Sequence, residues 1–191
     1  MNDGKCDHSG RFWSGTLALD EQRPVGALYR LDPSGEVTKV LSGVTVSNGL
    51  GWSPDQRTFY YIDSRTQRVD AFSHDPESGR IARRRLLVAI PSREGTPDGL
   101  TVDVEGHLWV ALWDGSVVRR YTPQGKQEYE VRLPASRVTS CAFGGDDLAD
   151  LYVTSATTGL APSDLRSQPH AGAVFVIRPG MRGLPTDTFA G

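Results

Sequence analysis

The sequence predicts an all-β fold, a β-propeller with about four blades in this chain. Three observations lead to this prediction: a strand pattern that repeats about every 45 residues, turn residues spread along the chain, and little helical periodicity. The 191 residues include 21 glycines and 12 prolines. Turn-forming residues spread along a chain in this way favour many short strands over long helices.

Each repeat contains an aromatic-bearing strand that follows a turn residue. The equivalent positions in four successive repeats are Phe12, Phe59, Leu108 and Leu151. These positions are 47, 49 and 43 residues apart. A period of this size is typical of repeat architectures, and a propeller blade needs about this length.

A second strand follows each aromatic strand and ends in a Pro/Gly turn. These turns lie at residues 32–35, 75–79, 122–125 and 179–180. Further strands are predicted at residues 37–41, 85–88 and 127–131, which gives three or four strands per repeat, as in a propeller blade. A short helical pattern at residues 162–168 stops before Pro169 and is predicted to be an insertion in the last blade.

Composition narrows the class of protein. With 38% apolar and 23% charged residues, the chain is predicted to form one globular domain over residues 1–191. A net charge of -2 predicts no nucleic-acid partner and no anionic membrane partner. No apolar run is long enough to span a membrane, so a cytoplasmic location is expected. Cys6 and Cys141 lack the spacing of a disulfide framework or zinc site.

Polar residues recur about ten positions before the aromatic strands. Asn48 and Asp98 each precede a glycine, and Asn2 and Asp3 occupy the same phase of the first repeat. Because the first strand of a blade lines the propeller channel, Asn48 and Asp98 are expected to face one another, with Asn2 or Asp3 close by. Their oxygen atoms suit Ca²⁺, Mg²⁺ or Mn²⁺ and would also accept Zn²⁺. The alternative is that each Asx-Gly pair only forms a turn.

Other polar residues are predicted to lie at the surface. The histidines at 8, 74 and 107 show no metal-binding spacing and are placed in surface turns. The three arginines at 83–85 are predicted to form a solvated turn between strands.

Several segments together resemble the regucalcin / senescence-marker-protein / gluconolactonase family of six-bladed propellers. The matching segments are residues 2–5, 10–11, 15–16, 47–53, 59–64, 97–100, 106–111, 139–145 and 151–154. They follow the family order and spacing over essentially the whole chain. The resemblance implies a metal-dependent lactonase that opens sugar-acid lactones such as gluconolactone.

The resemblance also implies roles for individual residues. Asn48 and Asp98 match two ligands of the family's catalytic metal, a divalent ion such as calcium, zinc, manganese or magnesium. Asp98 matches the residue that donates and accepts protons as well. Asn2 matches a substrate-binding asparagine, and Asp20 or its neighbour Glu21 lies at the acidic substrate-binding position.

Two family residues have no counterpart in these 191 residues. They are a metal-binding glutamate and a substrate-binding arginine that precede the matched segments, so the chain is expected to correspond to the C-terminal two-thirds of a relative.

The alternative function is an inactive or weakly calcium-binding propeller module without lactonase activity. A less favoured alternative is another class of propeller hydrolase. The expected partners are a lactone substrate and, through open sheet edges, other copies of the chain.

Overall fold

The computed structural model describes residues 1–191 and contains four antiparallel sheets. In each sheet the strands pair in sequence order, as in a propeller blade. The predicted all-β propeller class with four blades is therefore confirmed. The chain divides into two compact units, Met1–Ala89 with Pro185–Gly191, and Ile90–Leu184. Each unit holds two blades, and the prediction of a single domain stays a prediction.

Unit 1 contains blades 1 and 2. Blade 1 consists of β1 (Gly4–Cys6), β2 (Phe12–Gly15), β3 (Gly26–Leu31) and β4 (Val37–Val44). Blade 2 consists of β5 (Ser47–Trp52), β6 (Thr58–Asp63), β7 (Arg68–Asp75) and β8 (Arg80–Ala89), with a 3-10 helix at Ser64–Thr66. Trp13 of β2 and Phe59 of β6 lie in the core between these blades, whereas the repeat position Phe12 is only partly buried. The buried members of that core are Trp13, Leu28, Val44, Leu50, Trp52, Phe59, Tyr61 and Phe72.

Unit 2 contains blades 3 and 4. Blade 3 consists of β9 (Thr96–Val102), β10 (Leu108–Trp113), β11 (Val117–Tyr121) and β12 (Gln127–Arg132), preceded by a 3-10 helix at Ser92–Glu94. Blade 4 consists of β13 (Val138–Gly144), β14 (Asp150–Ser155) and β15 (Val174–Ile177). The helix α1 (Pro162–Ser167) lies between β14 and β15, so the predicted insertion in the last blade is present. The buried core of the unit is Trp109, Ala111, Val118, Leu133, Val138, Cys141, Phe143, Leu151 and Val153.

Neither cysteine is joined to the other by a disulfide. Cys6 lies in β1 and is partly buried, and Cys141 is buried in β13. The structure also contains no helix with the length and apolar character that a membrane crossing requires.

The arginines at 83–85 lie inside β8, so the predicted turn is wrong. Arg83 has a left-handed φ of 52°, and the ladder between β7 and β8 shifts register there, which is the signature of a β-bulge. The bulge is held by Asp70, which is 1% exposed and accepts from Nε and Nη2 of Arg84 at 2.9 and 2.6 Å. An ion pair with a buried carboxylate thus keeps this charged run within the sheet.

His74 is buried in β7, so its predicted place in a surface turn is also wrong. Its ring lies 6.1 Å from the rings of Trp13 and Trp52, and the residue is 5% exposed. Nδ1 lies 2.5 Å from the main-chain oxygen of Gln56. Since a carbonyl oxygen only accepts, Nδ1 carries the proton. Nε2 is buried without a hydrogen-bond partner, and burial lowers the pKa of His74.

We expect His74 to make the fold sensitive to acid. A histidine with a lowered pKa contributes stability that is present above its ordinary value of 6.5 and is lost as the pH falls through the pKa of the folded state. The melting temperature of the parent should therefore drop more steeply between pH 7.5 and 5 than that of His74→Asn. The exposed His170 provides the control, because His170→Asn should keep the parental slope. Equal slopes for the parent and His74→Asn would contradict the assignment.

Candidate active site

The two Asx-Gly pairs singled out in the sequence lie inside strands at β-bulges. In β5, Asn48 and the following glycine together oppose the single residue Ile62 of β6. In β9, Asp98 and the following glycine together oppose Ala111 of β10. The alternative that these pairs form turns is therefore wrong. A bulge bends the strand and re-aims a side chain, and bulges occur often beside active sites.

Blades 1 and 4 carry the same irregularity. The main-chain N–H of Asn2 donates to the oxygen of Gly15 at 2.8 Å, and the N–H of Gly15 donates to the oxygen of Asp3 at 3.2 Å. Asn2 and Asp3 together therefore oppose the single residue Gly15. In β13, Thr139 is the extra residue against Thr154 of β14. Each blade thus begins with a bulge whose first residue is polar. These first residues are Asn2, Asn48, Asp98 and Thr139.

Within unit 1 the structure brings Asn2 and Asn48 together. Nδ2 of Asn2 donates to the main-chain oxygen of Ser47 at 2.6 Å and to Oδ1 of Asn48 at 2.9 Å. Nδ2 of Asn48 donates to Oγ of Ser64 at 2.7 Å. The substrate-binding candidate Asn2 and the metal-binding candidate Asn48 therefore belong to one hydrogen-bond network.

Burial raises the pKa values of two groups beside this network. Burial raises the pKa of Asp3, although Lys5 and the N–H of Gly4, which donates to Oδ1 at 2.7 Å, act in the opposite direction. Burial also raises the pKa of Tyr61 well above its usual range. Its hydroxyl donates to Oγ of Ser47 at 2.7 Å. Tyr61 is therefore a fixed hydroxyl donor behind the residue that anchors Asn2.

Close packing of blades 1 and 2 requires a glycine at position 15. A Cβ atom there would overlap Oγ and Cβ of Ser47. Gly15 also opposes the bulge that begins with Asn2. The missing side chain lets β1 and β5 approach closely enough for the asparagines to meet.

Asp20 lies in the exposed loop between β2 and β3. Its Oδ1 accepts from the N–H of Gln22 at 3.1 Å, and its Oδ2 accepts from Nε of Arg23 at 2.7 Å. Both hydrogen bonds lower the pKa of Asp20, and the bond from the N–H of Gln22 has the larger effect. The loop is tied to the residue after Ser64, because Nε of Arg65 donates to the main-chain oxygen of Glu21 at 2.9 Å.

In unit 2, Asp98 is half-buried on β9, which packs against β13. The following residue, Gly99, lies against Ser140, and a Cβ atom at position 99 would overlap the serine side chain. Ser140 is the neighbour of Thr139. Asp98 and Thr139 therefore occupy equivalent bulge positions on two adjacent strands of this unit.

A second acidic group in unit 2 has the composition of a metal site. Oxygen or nitrogen atoms of Asp103, Glu105 and His107 lie within 4.8 Å of one another. However, Oδ2 of Asp103 accepts from Nε of Arg120 at 2.8 Å and from Nε1 of Trp109 at 2.9 Å. Arg120 also bonds to Glu105. Because the guanidinium already supplies the positive charge, we assign this cluster to the stability of the blade.

Blade 1 supports that assignment with an equivalent network that lacks the glutamate and histidine. Asp7 is fully buried, and its Oδ2 accepts from Nε of Arg11 at 2.7 Å and from Nε1 of Trp13 at 2.9 Å. Sequence reasoning aligned the two tryptophans but missed the aspartates. The signal was present as Asp-x-x-Gly-x-x-Trp, which occurs at residues 7–13 and 103–109.

A family model described as the SMP-30/Gluconolactonase/LRE-like region matches residues 1–157. The chain belongs to this family. It is similar to regucalcin from Gallus gallus, with 46% identity over 199 residues, and to regucalcin from Danio rerio, with 45% identity over 195 residues. Each match covers 100% of this chain and 66% of the relative. The chain thus spans slightly less than two thirds of the length of these family members.

Solved structures of family members share the fold. One is described as a calcium-binding protein, regucalcin, from Agrobacterium tumefaciens. It is 28% identical with a TM-score of 0.94, and the match covers 98% of this chain and 63% of the relative's chain. Another is a luciferin-regenerating enzyme, which is 37% identical with a TM-score of 0.89. The match covers 97% of this chain and 64% of that enzyme's chain.

Proposed function

We propose that this chain carries part of the active site of a divalent-cation-dependent lactonase that hydrolyses sugar-acid lactones such as gluconolactone. The observation that carries the proposal is the repeated bulge, which places Asn48 and Asp98 at equivalent positions in segments matched by the gluconolactonase family model. Membership of that family supports the reaction class. Individual residues of each unit are proposed as metal ligands, as the proton-transfer residue and as substrate-binding residues.

The donor atoms fit a hard divalent cation. Asn48 offers an amide oxygen and Asp98 a carboxylate, the ligand types that Ca²⁺, Mg²⁺ and Mn²⁺ prefer and that Zn²⁺ also accepts. In unit 1, hydrogen bonds hold the Asn48 amide in one orientation. We propose Asn48 and Asp98 as metal ligands on this basis. A bound cation would act as a Lewis acid toward the lactone carbonyl.

Asp98 is proposed as the proton-transfer residue. As water attacks the carbonyl carbon, its oxygen forms a new C–O bond and the bond from that carbon to the ring oxygen breaks. Asp98 accepts the proton that the water loses and donates it to the leaving ring oxygen. The products are an open-chain hydroxy acid and an unchanged carboxylate, so the step balances.

Asn2 and Asp20 are proposed to bind sugar hydroxyls. Both contacts of the Asn2 amide nitrogen are already made, so its Oδ1 is the atom that would accept from a substrate hydroxyl. Asp20 accepts two hydrogen bonds from its own loop, and a carboxylate has capacity for more. Its exposed position leaves it accessible to a ligand.

A second candidate function is cation binding without lactonase activity, as a propeller module that can self-associate. The description of the Agrobacterium tumefaciens relative as calcium-binding favours it. The last strand of blade 4, β15, has Val174 and Val176 exposed at 61% and 56%. An apolar strand at the end of a sheet is a site for edge-to-edge pairing. Concentration-dependent sedimentation would support this association.

Lactone hydrolysis at constant pH tests the main proposal. The 191-residue chain is given gluconolactone after chelation and again with Ca²⁺, Zn²⁺, Mn²⁺ or Mg²⁺, with the rate recorded as base consumption. We expect hydrolysis above the rate of the cation alone with at least one ion. Cation binding without any rate increase would favour the second candidate function, and no binding at all would contradict both.

A further inference from the structure

Hydrogen bonds alone fix the orientation of the Asn48 amide. The main-chain oxygen of Ser47 can only accept, so the atom of Asn2 that lies 2.6 Å from it is Nδ2. The same nitrogen lies 2.9 Å from Asn48, which therefore presents Oδ1 to it. Nδ2 of Asn48 must then point the other way, toward Oγ of Ser64 at 2.7 Å. Because this series of hydrogen bonds starts at a main-chain oxygen, which can only accept, each side-chain amide in it has one possible orientation.

Ser64 is itself held rigidly. It is 5% exposed, and its N–H donates to the main-chain oxygen of Val46 at 3.0 Å. The preceding residue, Asp63, accepts from the N–H groups of Thr45 and Val46 at 2.9 Å each. These bonds fix the end of β6 against the entry to β5. The hydroxyl of Ser64 is therefore an acceptor at a fixed place behind Asn48.

We propose that Ser64 is a positioning residue that keeps the amide oxygen of Asn48 available to a cation. The inference rests on the proposed function, because it assigns Ser64 a task in binding that ion. An amide oxygen has two acceptor positions, and Asn2 occupies one of them, which leaves one for a cation. Without the Ser64 hydroxyl, the amide loses the acceptor that fixes its nitrogen. Only the contact with Asn2 then opposes a rotation of the amide that would present N–H groups, which repel a cation.

Calorimetric titration with Ca²⁺ tests this role in four forms of the chain: the parent, Ser64→Ala, Asn48→Asp, and the double variant. We expect Ser64→Ala to weaken binding by about 10- to 100-fold, the usual effect of removing a group that orients a metal ligand. Aspartate at position 48 presents an oxygen in either orientation. The double variant should therefore bind Ca²⁺ as tightly as Asn48→Asp alone.

Ser53 provides a matched control in the same blade. It is 9% exposed, lies just beyond the other end of β5, and its Oγ accepts from the N–H of Thr58 at 2.9 Å. Ser53→Ala removes a comparable hydrogen bond and should leave Ca²⁺ affinity unchanged. Equal weakening by Ser53→Ala and Ser64→Ala would overturn the positioning role, because general loosening would explain both.

A second measurement needs no metal. The side-chain NH₂ signal of Asn48, assigned by its loss in Asn48→Asp, should exchange slowly with solvent in the parent and faster in Ser64→Ala. If Ca²⁺ binds the parent and Ser64→Ala equally, the positioning role is overturned while the proposed function stands. If the amide is protected but neither the parent nor Asn48→Asp binds Ca²⁺, the proposed function is contradicted and the role of Ser64 in ion binding falls with it.

Discussion

Replacing Asp98 with alanine is expected to lower the rate of lactone hydrolysis by about 10²- to 10⁴-fold, the usual contribution of a positioned acid or base. The substitution removes the proposed proton-transfer group and one proposed oxygen ligand together. Ca²⁺ affinity should therefore fall as well. The rate is measured at constant pH with saturating cation, and affinity by calorimetry.

Asp98→Asn separates the two roles. The amide keeps an oxygen that can bind a cation but cannot carry a proton from water to the leaving oxygen, so affinity should fall less than in Asp98→Ala while the rate stays equally low. The exposed Asp146 serves as the control, because Asp146→Ala removes a carboxylate that lies outside the bulges. Equal rates for the parent and Asp98→Ala would remove Asp98 from the mechanism.

Replacing Asp103 with alanine is expected to cost about 3 to 5 kcal/mol in the free energy of unfolding, as for other broken buried ion pairs. Asp103 is fully buried, and the side chain of its partner Arg120 is only 6% exposed. The variant leaves Nε of Arg120 and Nε1 of Trp109 inside the blade without the carboxylate that accepts from both. Urea denaturation followed by tryptophan fluorescence measures the loss.

Glu105 offers a matched control because it bonds to the same guanidinium from the surface. Its side chain is 62% exposed, so Glu105→Ala should cost less than about 1 kcal/mol. Asp7→Ala should behave like Asp103→Ala, since Asp7 makes the equivalent bonds in blade 1. A loss below 1 kcal/mol in Asp103→Ala would show that the network does not stabilise the blade.

The repeat made the fold predictable from sequence. Aromatic strands at a period near 45 residues and Pro/Gly turns after the next strand predicted four blades, and the structure contains them. Burial of residues such as Trp13 and Trp109 explains why the pattern is visible. Each of these residues fills the core at the same place in its own blade, so the same chemical requirement recurs.

The bulges could not be predicted in the same way. Whether Asn48 forms a turn or lies in a strand depends on how β5 pairs with the following strand, β6, and that register is not visible in residues 48 and 49 themselves. The sequence therefore identified the polar residues without their geometry. Ser64 was missed as a candidate for the same reason, because its contact with Asn48 spans 16 positions.

His74 and Arg84 show a second limit. Local composition placed His74 in a surface turn, yet it packs between two tryptophans. Arg84 is exposed as predicted, but it lies in a strand, where it pairs with buried Asp70. A polar residue enters the interior when a partner from another strand satisfies it. Such partners are not visible in the neighbouring sequence.

The bulge at the start of each blade also bears on how such a protein can change over evolutionary time. Its first residue stands outside the regular ladder, and this chain has asparagine, asparagine, aspartate and threonine there without altering the strand order. Stability depends instead on buried aromatics and on aspartates such as Asp7 and Asp103. A new specificity could therefore be acquired one blade at a time, by single substitutions that leave the scaffold intact.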